Sequence, residues 1–133
     1  MTTGTDTQPA DAPARYVFRA TLSLDPAAGW TADPDRFETV LSRTAPPPGE
    51  DGWLFFRDHL WRGELGDASH GRRLAADALG MPVDSVSFSE LRTTAAYLDD
   101  LKRAIAADLG AFNAETVSEV LKKYLGSSIH VTD

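Results

Sequence analysis

Apolar and polar positions alternate most regularly near the start of the chain. In "RYVFRATLSL", residues 15–24, Tyr16, Phe18, Ala20, Leu22 and Leu24 share one phase. Arg15, Val17, Arg19, Thr21 and Ser23 occupy the other. A two-residue period of this length predicts a half-buried strand. "RFETVLSRTA", residues 36–45, supports two readings. Asp33 as a cap with Pro34 at the first helical position fits a helix with Phe37, Val40 and Leu41 inward. Phe37, Thr39 and Leu41 also alternate as a strand. The β-branched pair and the short length favour the strand, which would fold back on the first as an N-terminal hairpin.

"GWLFFRDHLWRGEL", residues 52–65, is the most aromatic stretch. As a strand, both faces would mix apolar and charged groups. A helical phase gathers most of its apolar residues on one side, so a helix ending at Gly66 is expected. Two residues resist that phase. Phe55 falls on the wet side with Asp58, His59 and Arg62, and Arg57 falls between Trp53 and Trp61, one turn from each. Asp67 is placed to cap the next helix, residues 68–79, and Gly80, Met81 and Pro82 to close it. "VDSVSFSEL" alternates and predicts a short strand near 83–89. Leu98, Leu101, Ile105, Leu109 and Phe112 form a helical stripe, with Asp99 four residues before Arg103. Asn113 is expected to open a last helix with Val117, Val120, Leu121, Tyr124 and Leu125 inward and Glu119 paired to Lys123. Gly126 ends it, and "SSIHV", residues 127–131, supplies a final strand.

These elements predict one α+β domain over residues 15–133. A small mixed or antiparallel sheet packs with about four helices, and residues 1–14 form a disordered tail rich in Thr, Asp, Pro and Ala. The length of 133 residues suits a single domain. "MTTGTDTQPADAPA" lacks the basic and apolar segments of a secretion signal, and no run is long enough to span a bilayer. A cytoplasmic protein is expected, with no membrane association.

Charge narrows the classes further. The chain carries 14 Asp and 6 Glu against 10 Arg and 3 Lys, a net charge of -7. That balance repels nucleic acid at long range and fits either salt adaptation or an ordinary acidic protein. Cysteine is absent, which removes thiolate metal sites and thiol nucleophiles. His59 and His70 lie eleven residues apart, whereas helical metal ligands need a spacing of three or four. Ser127, Ser128 and His130 lack a nucleophile elbow and read as a plain strand. "KKYLGSS" places its glycine after a helix C-terminus, the wrong end for phosphate, so Lys122 and Lys123 read as complements to the helix dipole. Asp99 and Asp100 point about 100° apart and cannot share a proton. Arg15 and Arg19 flank Tyr16 and Phe18, but those rings are in phase with the core. No catalytic, cofactor-binding or metal residue is therefore expected. An enzyme would require His59, His70 or His130 beside a carboxylate in a deep pocket.

The candidate site is an interaction patch of Trp53, Phe55, Arg57, Trp61 and Arg62, since Trp and Arg dominate interface hot spots. Against it stands a structural reading in which Arg57 pairs with a buried acid on another element. The expected partner is a protein or a second copy of the chain. The alternative is RNA or ribosome association, drawing on Arg15, Arg19, Arg57, Arg62, Lys122 and Lys123.

"GWLFFRDHLWRGEL", together with "FETVLSR", "SVSFSELRT", "YLDDLK" and "VSEVLKKYLGSSIHV", resembles a family of small haloarchaeal proteins, the LWR-salt proteins. The resemblance covers about residues 15–131, and the family name reflects Leu60, Trp61 and Arg62. It implies a salt-adapted host and marks the Leu-Trp-Arg block as the family's signature. It implies no reaction, ligand or catalytic residue.

Overall fold

A computed structural model describes residues 12–132; residues 1–11 of the expected tail lie outside them, and its last residue, Ala14, is buried in a strand. The alternating segment forms β1, Ala14–Ser23, and the ambiguous one forms β2, Arg36–Thr44. They pair antiparallel over nine residues without a break, so the N-terminal hairpin is present. β1 begins one residue earlier than its pattern suggests, with Ala14 buried, and Leu24 lies beyond its end and exposed.

The aromatic stretch departs from the expected helix. Only Phe55–His59 is helical (α1). Leu60 turns to extended backbone, and Leu60–Trp61 (β3) pairs with Glu64–Leu65 (β4) as a minimal hairpin. Arg62 and Gly63 sit at φ 54 and 82. Two central residues at positive φ make the mirror-image turn that suits the twist of a two-residue hairpin loop. The expected helix through Gly66 is therefore corrected: the chain leaves the helix at Leu60, and Arg62 and Gly63 form a left-handed turn beyond it.

α2, Ala68–Leu79, has the expected bounds, with Asp67 accepting from the His70 amide at 3.1 Å and Gly80 left-handed at its end. The Gly80 and Met81 amides both reach the Ala76 carbonyl, while the Met81 side chain stays exposed. β5, Ser85–Thr93, runs four residues beyond the predicted stretch. The register slips where Val17 faces Glu90 and Phe18 faces Phe88. Ser89 is the extra residue, and this bulge returns Leu91 and Thr93 to the inner face after Phe88. α3, Ala95–Ala106, is capped by Thr94 and buries Tyr97, Leu101 and Ile105. A 3-10 turn, Leu109–Phe112, ends at Asn113 in left-handed backbone, so Asn113 closes an element and does not start one. α4, Val117–Tyr124, starts at Thr116, whose hydroxyl accepts from the Glu119 amide at 3.1 Å. Glu119 in turn accepts from the Glu115 amide at 3.2 Å, a reciprocal cap that outranks Asn113. β6, Ile129–Val131, adds parallel to β5.

The fold is α+β. Its mixed four-stranded sheet has the order β2-β1-β5-β6. The core cluster takes one phase of that sheet, including Ala14, Tyr16, Phe88 and Leu91, and covers it with Phe55, Phe56, Tyr97, Leu101, Ile105, Phe112, Val120 and Leu125. Phe56 and Phe112 stack at 5.7 Å, and Tyr16 meets Phe55 at 4.6 Å. Removing a ring of this kind from a core costs about 3–5 kcal/mol. Tyr97 is pushed up to about 12 by burial, and its hydroxyl donates to the Pro46 carbonyl at 2.6 Å, tying the proline-rich loop to α3. The opposite phase of β1, with Arg15, Val17, Arg19 and Thr21, lies outside the core cluster.

Candidate functional site

The Leu60-Trp61-Arg62 block is built around the end of α4. A helix leaves its last carbonyls without partners. Here the hairpin turn supplies donors: the Arg62 amide reaches the Lys123 carbonyl at 2.8 Å and the Gly63 amide reaches the Tyr124 carbonyl at 2.9 Å. At the base of the hairpin, the Gly66 amide reaches the His59 carbonyl at 2.9 Å. The approach leaves no room for side chains. A Cβ on Gly63 would meet the Leu125 carbonyl oxygen and the Ser128 hydroxyl at 3.0 Å, and one on Gly126 would meet the Arg62 carbonyl oxygen at 3.1 Å. Gly126 also sits at φ 61. Two glycines thus let two turns nest.

This docking sets the side chains of the signature. Leu60 enters the core. Trp61 stays 47% exposed, its ring edge-on to Tyr124 at 6.0 Å. The Arg62 guanidinium lies over the Trp61 ring at 5.8 Å, and the Lys123 ammonium over Tyr124 at 5.6 Å. Trp61, Arg62, Glu119, Lys122, Lys123 and Gly126 line one shallow depression. Three cations there face one carboxylate, in a chain of net charge -7. Lys123 does not pair with Glu119. It crosses to the Phe112 carbonyl at 3.0 Å, completing the end of the 3-10 turn.

The five residues of the expected patch do not form one surface. Phe55 is 6% exposed and belongs to the core, its ring tilted against Tyr16. Its wet-side position followed from the helical phase that the hairpin ends, so the expectation is corrected. Trp53 is half-buried against Phe56 and Phe112. Arg57 does not bridge two indoles, and its acid is neither buried nor on another element: it is the adjacent Asp58, at 3.0 Å. Trp61 and Arg62 remain together on one side of the hairpin tip. Likewise Arg103 pairs with Asp100 and not with Asp99. Of the six cations considered for RNA, Arg62, Lys122 and Lys123 share a depression, while Arg15 and Arg19 lie on β1, outside the core phase.

The histidine spacing misled in the other direction. α1 and α2 bring His59 and His70 into a stack, 5.0 Å apart and 16° from parallel. The column continues through Phe55 at 4.5 Å to the Arg43 guanidinium at 4.8 Å. Burial, then the neighbouring His70, holds the His59 imidazole below its ordinary value; Asp58 opposes the shift and Arg43 adds to it. Asp58 and Asp67 line the same depression as the two histidines. Their carboxylates are committed elsewhere, Asp58 to Arg57 and Asp67 to the α2 cap, and neither hydrogen-bonds an imidazole. No cluster of three His, Cys, Asp or Glu suited to a metal occurs among the described residues. The cleft between the sheet and α2, about 160 Å³, is walled by Phe18, Leu41, Phe55, Leu65, Leu74 and Val86, with Ser42 and Arg43 as its polar side chains. No helix among the described residues is long and apolar enough to cross a membrane.

Fold and site together define an α+β protein that carries an aromatic and basic shelf on the end of a helix. The chain belongs to the LWR-salt protein family, whose family model matches residues 12–133. No curated protein and no solved structure matches it.

Proposed function

We propose that this protein is a non-enzymatic interaction module of a halophile's cytoplasm, and that it docks an acidic protein surface on the Trp61, Arg62, Lys122 and Lys123 shelf. The observation that carries the reading is Trp61, half-exposed beneath the Arg62 guanidinium beside two lysines, in a strongly acidic chain. At molar salt the Debye length falls to roughly 3 Å, so cations act only at contact. Apolar contact is strengthened by salting-out ions. The indole then supplies affinity and the cations fix the orientation of the partner. The separation of Arg15 and Arg19 from the shelf favours a protein partner over RNA.

The test is affinity recovery from a lysate of the host at its own salt, with wild type, Trp61→Ala and Arg62→Asn compared after each is shown to unfold at a similar temperature. Asn is chosen because it tolerates the left-handed backbone at this position. Both variants are expected to lose specific protein partners. Recovery of the same proteins by all three sinks the proposal, as does a recovered fraction consisting of RNA that nuclease removes.

A further inference from the structure

Seven large apolar side chains are exposed among the described residues, and four of them, Leu24, Trp30, Phe37 and Val40, lie on the β1–β2 hairpin or its loop. Trp30 is 74% exposed and Val40 55%. β2 is also an outer strand of the sheet, with β1 as its neighbour on one side and no strand on the other among the described residues. A bare edge presents a row of unpaired amides and carbonyls, and proteins usually blunt it with Pro, Lys, a bulge or a short strand. β2 runs nine residues, contains no Pro, keeps an unbroken register with β1, and carries charge only at Arg36, Glu38 and Arg43. Its pattern therefore invites another strand.

We infer that β2 pairs antiparallel with β2 of a second copy of this chain, about a two-fold axis at Thr39, joining two four-stranded sheets into one. The sequence of the strand is complementary to itself in this register. Phe37 faces Leu41 of the second copy on the inner phase, twice by symmetry. Asp35 faces Arg43, also twice. Glu38 meets Val40, Arg36 meets Ser42, and Thr39 meets its own copy. No like charges are opposed, and opposite charges and apolar pairs directly across a sheet stabilise it. Arg43 has no carboxylate partner within its own chain among the described residues, and the Asp35 side chain makes no hydrogen bond there. Moving the axis to Val40 would leave Asp35 opposite Ala45 and lose both charge pairs. The two-fold makes the contact self-complementary and closed, so it ends at a dimer. This surface is separate from the Trp61 shelf, and either reading stands if the other fails.

The chain has no cysteine, so one introduced thiol reports on one position. In the proposed register the two Thr39 Cα atoms lie about 4.5–5.5 Å apart, within reach of a disulfide. Sedimentation of the full chain in molar KCl is expected to give a concentration-dependent dimer. Thr39→Cys should form a covalent dimer under mild oxidation far faster than Ser118→Cys, an exposed control on α4. Arg43→Asp places two carboxylates opposite each other and should weaken association about tenfold or more; Asp35→Arg in the same chain should restore it. Val40→Glu, facing Glu38, should weaken it independently, whereas Val40→Lys should not. A monomer at every concentration overturns the inference. So does a dimer indifferent to Arg43→Asp and Val40→Glu, faster crosslinking at Val40→Cys than at Thr39→Cys, or crosslinking of Thr39→Cys in lysate to a different polypeptide and not to itself.

Discussion

The protein contains two hairpins that use opposite means of support. β3–β4 has two residues per strand, too few to stand by pairing alone. It is held because its turn amides complete α4 and because Gly63 and Gly126 allow the two backbones to meet. β1–β2 has ten and nine residues joined by an unbroken ladder, and β1 is also held on its other side by β5. This hairpin leaves its outer edge and Trp30, Phe37 and Val40 in solvent. The short hairpin depends on its docking against α4, whereas the long one has an extended ladder of its own as well as its pairing with β5. The Leu60-Trp61-Arg62 block sits in the short one, where Leu60 anchors, Arg62 and Gly63 turn, and Trp61 is displayed.

The contrast is broken most directly at its glycines. Gly63 and Gly29 both sit at positive φ, 82 and 88, but a Cβ at Gly29 would meet nothing within 4 Å. Gly29→Ala is expected to cost about 1–2 kcal/mol, the backbone penalty alone. Gly63→Ala should cost about 2–4 kcal/mol, because it adds a clash with the Leu125 carbonyl and weakens two capping bonds. Urea unfolding in molar salt measures both. Equal losses would mean that the short hairpin is not held by its docking on α4.

Acid should act through His59, at the end of α1 where the short hairpin begins. His59 precedes the hairpin, and its imidazole has a lowered pKa in the fold. The unfolded chain therefore takes up a proton first as pH falls below about 6.5. Stability is complete above that value and declines below it until the folded-state pKa is passed. Urea midpoints between pH 7.5 and 5 should fall, with a shallower fall in His59→Gln. An identical pH slope in the two proteins would remove His59 as the cause.

The smallest effect is expected on the outer surface of the long hairpin. Arg19 meets Glu38 at 3.4 Å with both side chains more than half exposed. Arg19→Ala should change stability by no more than about 0.5 kcal/mol, and less in molar salt. A larger loss would show that this face bears more than solvated charge.

Local chemistry made much of this legible in advance. Alternation identified β1 and its pairing with β2, because a strand with one buried face must repeat every two residues. Asp67 and Gly80 bounded α2 to the residue, because capping is decided by neighbours within a turn. Errors gathered where a distant partner intervened. Asn113 looked like a cap until Thr116 and Glu119 formed a better one. Lys123 looked like a helix-end charge until the Phe112 carbonyl claimed it. Trp30, in a loop of Pro, Gly and Asp, drew no notice, since exposure is not written in the identity of a residue.

The sequence alone determined that the chain is α+β with an N-terminal hairpin, acidic and free of cysteine, and that it resembles the LWR-salt proteins. Only the tertiary structure decided what the Leu60-Trp61-Arg62 block is. Helical phase fits residues 52–65 in isolation, because a phase takes no account of the orphan carbonyls of α4. Once α4 is in place, amides at Arg62 and Gly63 meet that need and a helix through them would not. The same packing drew Phe55 inward, left Arg57 to its neighbour Asp58, and stacked His59 on His70 across eleven residues of chain. Contacts of this kind depend on where two backbones meet, and that is fixed by the assembled core.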